Sequence, residues 1–217
     1  MRSKKISITV VAVIVLLILC YFAIFTPQGD SSKISEIPSR YTTIDPFRIN
    51  SNEDFSTSPA VSGGNGSKED PWIIANLEIN GTGHGYCMFI GNTTDHFIIR
   101  NCRVHHATGN INDYYWNVGI IIYNCDNGQV HDNSAELCGR SGIFCRDSSN
   151  IKFFENDLIS NEYSGLIATH SEYVTIVGNN ASDNVQCGIR LSSSYHCVIS
   201  ENTVTSNTSH VGLQVYN

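Results

Sequence analysis

Five glycines set the terms for this chain: Gly119, Gly142, Gly165, Gly188 and Gly212, separated by 23, 23, 23 and 24 residues. The residues one and three places after each are apolar: Ile120 and Ile122, Ile143 and Cys145, Leu166 and Ala168, Ile189 and Leu191, Leu213 and Val215. The residues between them are mixed: Ile121, Phe144, Ile167, Arg190 and Gln214. Alternation with one reliably apolar side is the signature of a strand facing a core. A second short strand follows, with Ile151 and Phe153, Val174 and Ile176, and Cys197 and Ile199 as its inward residues. Fourteen residues after each glycine comes an Asn column, Asn133, Asn156, Asn179 and Asn202. Five places further on is a second column, Cys138, Asn161, Asn184 and Asn207.

A unit of 23 residues is too short to bury its own apolar face, so such units must stack. Stacking places equivalent residues above one another at about 4.8 Å, and an Asn can then hydrogen-bond the Asn one rung away. Glycine permits a tight corner, and Asn tolerates left-handed backbone. The expected fold is all-β, a single-stranded parallel β-helix, right-handed by the usual crossover rule, with about 23 residues per coil. A leucine-rich repeat would need a Leu pattern and helical segments, which are missing from these residues. An earlier, less regular coil fits Met88, Ile90, Ile98 and Asn101, with Cys87 in the glycine position.

The chain has 217 residues and a net charge of −7, which argues against non-specific binding of nucleic acid. Three stretches are expected. Residues 1–25 hold Arg2, Lys4 and Lys5 before the uncharged run ISITVVAVIVLLILCYFAIF. That length suits a membrane crossing with the N-terminus in the cytoplasm and the remainder outside. Cys20 follows Leu19 rather than a small residue, so an uncleaved anchor is favoured over a cleaved signal peptide. Residues 26–61 are polar and interrupted by Pro27, Pro38, Pro46 and Pro59, a spacer and lead-in whose segment PFRINSNEDF has room for one short strand. Residues 62–217 form the β-helix domain, which breaks off within a coil. Missing C-terminal coils or end-to-end self-association would cover its last rung.

The pattern GIxI…SxxxxIxxNxxxxN resembles the right-handed β-helix repeat of the NosD-like, pectate-lyase-like superfamily. The stretch GNGSKEDPWIIANLEING followed by FIIRNC is similar to the opening coil of surface β-helix proteins common in archaea. The resemblance implies the fold over about residues 62–217. It leaves the activity open, since the superfamily contains lyases, hydrolases, epimerases, adhesins and a copper-site maturation protein.

Candidate sites follow from the columns. Arg100, Asp132 and Glu155 fall just before the first Asn column, where stacked carboxylates near a cation could hold Ca²⁺ or act as acid and base on a sugar. Outward charges that keep the solenoid soluble are the plainer reading. His105 and His106 end the first coil, and His106 counts into the column of Cys138, a pairing suited to a soft metal such as copper. The insertion before Gly119 carries Tyr114, Tyr115 and Trp116, rings suited to stacking on sugars or anchoring a partner. The seven cysteines after the apolar run share no column, so they read as small hydrophobes; Cys138 and Cys145, flanking one bend, are the pair to watch for a disulfide. Sequons at Asn65, Asn80, Asn92 and Asn180 are expected to accept glycans in an outward-facing domain, and the one at Asn207 to stay bare inside its ladder. The reading is a membrane-anchored extracytoplasmic binder of polysaccharide or a cell-surface protein, without catalysis in this chain. A carbohydrate-active enzyme fragment and a NosD-like copper accessory protein are the alternatives.

Overall fold

The computed structural model describes residues 40–109, 116–209 and 211–216. The expected membrane anchor and spacer, and with them Tyr114 and Tyr115, lie outside the described residues. No helix among the described residues is long and apolar enough to cross a membrane. Residues 1–39 and 40–217 separate as two units, so residues 40–61, within the expected lead-in, belong with the repeat.

The described residues build three sheets that wind into one prism. The long sheet stacks Phe47–Ile49, Tyr86–Thr93, Val118–Cys125, Ser141–Arg146, Ser164–Thr169, Cys187–Ser192 and Val211–Tyr216, all parallel. A second sheet stacks Trp72–Ala75, Phe97–Arg100, Gly128–His131, Lys152–Phe154, Thr175–Val177 and Val198–Ser200, with Val61–Gly63 antiparallel at its edge. A third stacks Thr42–Thr43, Leu77–Asn80, Arg103–His105, Ser134–Glu136 and Asp157–Ile159. Each coil visits the long, second and third sheets in turn, so every strand pairs with the strand 23 or so residues away. The apolar run from Trp72 to Ile79, read as one strand, is two strands broken at Asn76, whose φ of 60° turns the chain.

Inward residues of all three sheets form one core, including Met88, Ile120, Ile143, Leu166 and Ile189 from the long sheet and Ile99, Val130, Phe153 and Ile176 from the second. The N-terminal end of this core is closed by the helix Asn52–Thr57. Its Phe55 is fully buried and stacks on Trp72 at 5.7 Å and Phe97 at 6.1 Å.

Both Asn columns are hydrogen-bonded ladders. Asn133 Nδ2 donates to Asn156 Oδ1 at 3.0 Å, Asn156 to Asn179 at 2.9 Å and Asn179 to Asn202 at 2.9 Å. Each accepting oxygen also takes the backbone N–H of the donor residue. The second ladder joins Asn161 to Asn184 at 3.1 Å, and Asn207 Oδ1 accepts Asn184 N–H at 3.0 Å. These amides are buried, and their bonds satisfy the backbone groups that a corner takes out of the sheets. A third ladder at the remaining corner is made of hydroxyls: Ser148, Ser171 and Ser194 each accept the N–H of the residue one coil earlier, at 3.1–3.2 Å. A cysteine heads each ladder. Cys102, Cys138 and Cys125 give their N–H groups to Asn133, Asn161 and Ser148, and their sulfurs are buried.

The repeat glycines serve space rather than backbone freedom, contrary to the expectation of a corner. Their φ is not positive; a Cβ on Gly165 would instead stand 2.8 Å from Gly188 O and from Ala181 Cβ. The left-handed corner residues are Asn, Asp, Glu, Ser and His, as at Asn101, Asp132, Glu155 and Glu201.

Candidate functional site

The outer face of the long sheet is not polar. Register places Arg48, Phe89, Ile121, Phe144, Ile167, Arg190 and Gln214 in one outward column. Phe89, Ile121, Phe144 and Ile167 form a second apolar cluster apart from the core, with Tyr86 and Tyr163 packed on it. The adjacent outward column is Gly91, Tyr123, Arg146, Thr169, Ser192 and Tyr216. Two hollows lie over these columns. One, of about 350 Å³, is lined by Arg48, Phe89, Trp116, Ile121, Tyr123, Phe144 and Arg146. The next, of about 250 Å³, is lined by Phe144, Arg146, Ile167, Thr169, His170, Arg190, Ser192 and Tyr216. Phe144 and Arg146 are common to both, so the hollows run into one groove along the helix axis, crossing the coils.

Cations line this groove in contact with rings. Arg48 lies 4.0 Å above Phe89, and Arg190 sits 5.2 Å from the Tyr216 ring while donating to Tyr163 Oη at 2.8 Å. Arg146 is paired with Asp147 at 3.0 Å. Trp116, from the aromatic insertion, folds onto Tyr86 (5.0 Å) and Phe89 (6.5 Å) and forms the groove's flank. Of the three candidate rings, Trp116 is the one described, and it both packs back and lines a cavity. The sequence signal for the groove was the mixed outward column, whose aromatic and arginine members were visible but not read as a site.

The other candidates fall differently. Asp132 and Glu155 are one rung apart and exposed, as expected, in a left-handed column. Arg100 is not in that column: it pairs with Ala75 and His131, and Asn101 takes the place before Asp132. The cause is one extra residue in the turn between Thr93 and Phe97, since Thr93 pairs with Cys125 but Phe97 with Gly128. The same shift puts Phe97 and Ile99 inside instead of Ile98, and makes Cys102 the ladder member instead of Asn101. It also moves His106 out of the Cys138 column. His105 pairs with Glu136, and Ala107 occupies the position above Cys138, accepting Gly139 N–H at 3.0 Å. Cys138 thus faces the core and His106 the outside; His106 Nδ1 lies 2.8 Å from His105 Nδ1. Burial and then the neighbouring Arg103 lower the His105 pKa.

The seven described cysteines are free thiols, Cys138 and Cys145 included. Burial pushes Cys102 up to about 11 and Cys125, Cys138 and Cys145 up to about 12. Asn65, Asn80 and Asn92 are exposed and Asn180 half-buried, whereas Asn207 is buried in its ladder.

Known proteins place the chain. A model described as a right handed beta helix region matches residues 60–217. The chain belongs to the right-handed β-helix family. No relative was found among curated proteins. Among solved structures, a match is the enzymatically active domain of tailspike protein 2 from bacteriophage CBA120, with a TM-score of 0.50 and 15% identity. The match covers 80% of this chain and 25% of the tailspike chain, so this chain spans about a quarter of that protein's length. At that identity the likeness speaks for the fold.

Proposed function

We propose that this β-helix protein binds an extended acidic polysaccharide along the outer face of its long sheet. The carrying observation is the continuous groove over Phe89, Phe144, Tyr123, Trp116 and Tyr216, edged by Arg48, Arg146 and Arg190. Aromatic rings give a sugar apolar contact, and arginines give bidentate bonds to its carboxylates or sulfates. Seven rungs at about 4.8 Å make a track of roughly 29 Å, enough for several sugar rings. The uncharged N-terminal run supports attachment of this domain to the outside of a membrane, and the exposed sequons support glycans on its surface.

A second reading, a carbohydrate-active enzyme, is favoured by the exposed pair Asp132 and Glu155. The tailspike domain's title describes it as enzymatically active, and that bears on this chain only by analogy.

The experiment incubates the full chain with acidic and neutral polysaccharides and reads bound fraction and new chain ends together. The binding reading expects retention of acidic chains, weakened at least about tenfold by Arg146→Ala, with no new ends. Release of reducing or unsaturated ends, lost on Asp132→Ala, would replace it with the enzymatic reading.

A further inference from the structure

A second cavity lies on the corner between the second and third sheets, opposite the groove. It measures about 350 Å³ and is lined by Arg40, Asn76, Arg100, Asn101 and Asp132. Three features set it apart from an ordinary solvated corner. Neither Arg40 nor Arg100 makes an ion pair among the described residues, although two guanidinium groups in one hollow repel each other. Asn101 donates to Asn76 Oδ1, which leaves Asn101 Oδ1 buried with no hydrogen-bond partner. Asp132 is already fixed from one side, with an oxygen 2.7 Å from His131 Nδ1, while its side chain stays 53% exposed. The cavity therefore offers two groups of donors on one side and two oxygen acceptors on the other.

We propose that this corner is a binding site for a sugar acid, its carboxylate held by Arg40 and Arg100 and its hydroxyls donating to Asn101 Oδ1 and Asp132. The charges decide the ligand class. Two arginines attract an oxyanion and match a carboxylate in a two-point fork. Asp132 opposes a bare inorganic anion, because a carboxylate in the same hollow repels it. A ligand that carries both an anion and neighbouring hydroxyl donors satisfies every group at once, and a uronate is the simplest sugar of that kind. An unmet buried oxygen costs about 1–3 kcal/mol, so a ligand hydroxyl gains by reaching Asn101. The pocket exists because of the extra residue before Phe97, which puts Arg100 beside Asn101 instead of in the carboxylate column. It shares no residue with the groove.

The test is calorimetric titration of the full chain with galacturonate, galactose and inorganic phosphate, with variants Arg100→Gln, Arg40→Gln and Trp116→Ala. Saturable binding of galacturonate is expected, at least about tenfold weaker in Arg100→Gln and weakened in Arg40→Gln, with unchanged thermal unfolding. Trp116→Ala should leave it unaltered, which separates this site from the groove. Three results would overturn the proposal: no saturable galacturonate binding, binding indifferent to both arginine variants, or galactose or phosphate bound as tightly as galacturonate. Loss of galacturonate binding on Trp116→Ala would assign the ligand to the groove and also count against it.

Discussion

The coils from Gly119 to Asn207 and the coils before them are built on the same core, but they obey different arithmetic. In the later coils a residue's column follows from counting in steps of 23, and the two Asn ladders and the Ser ladder run without a break. In the earlier coils one additional residue in a turn changes which side chain meets the ladder, and cysteine rather than Asn receives it. The two regions also differ in use. Arg48, Phe89 and Trp116 at the head of the groove, and Arg40, Asn76, Arg100 and Asn101 at the corner, all come from the irregular part. Regular coils supply rigidity, and departures from the repeat supply recognition, as loops do on other scaffolds.

If strands demand register and turns do not, a single inserted residue separates them. One glycine inserted after Ile143, inside a long-sheet strand, would reverse the facing of the residues behind it and should cost more than about 4 kcal/mol, seen as loss of the cooperative urea transition. The same insertion after Asp126, in the turn that already tolerates an extra residue one coil earlier, should cost less than about 2 kcal/mol.

The ladders give the next largest effect. Asn156→Ala removes the acceptor of Asn133 N–H and Nδ2 and strands the Val130 carbonyl, for a loss of about 3 kcal/mol in urea unfolding. Asn101→Gly, which keeps the left-handed corner free, should change stability by less than about 1 kcal/mol. Equal losses would mean that Asn101 belongs to the ladder after all. Gly165→Ala should fall between them, at about 1–3 kcal/mol, because its methyl meets the Gly188 carbonyl.

The smallest effect concerns the thiols that head the ladders. The ordinary cysteine pKa is near 9, and burial raises those of Cys102, Cys125 and Cys138 to about 11–12. A raised folded pKa favours the neutral thiol, so this stability is complete below pH 9 and is lost as pH rises towards 11–12. Urea midpoints should therefore decline above pH 9. At pH 8, peptide mapping after iodoacetamide should find Cys197, which is only partly buried, labelled ahead of these three.

Much of this was legible in the sequence. Glycine spacing and apolar alternation gave the coils, and the two Asn columns gave the ladders, because strict stacking converts sequence distance into height. The first coil resisted because its extra residue sits in TTDHF, a turn with no glycine to mark it, and Cys87 in the glycine position suggested an unbroken count. His106 and Arg100 were misplaced by that single residue. The hydroxyl ladder was overlooked although Ser148, Ser171 and Ser194 recur at the repeat, since serine is common at any turn. The groove was hidden for another reason: Ile121, Phe144 and Ile167 face outward, a position where counting predicts polar residues, and Arg48 and Arg40 lie in a stretch that reads as irregular lead-in.

The most direct test of the account is the affinity of the full chain for an acidic polysaccharide before and after Trp116→Ala combined with Arg146→Ala. The groove reading predicts at least a tenfold rise in Kd with the unfolding midpoint unchanged. An unchanged Kd in a protein that still folds would contradict it.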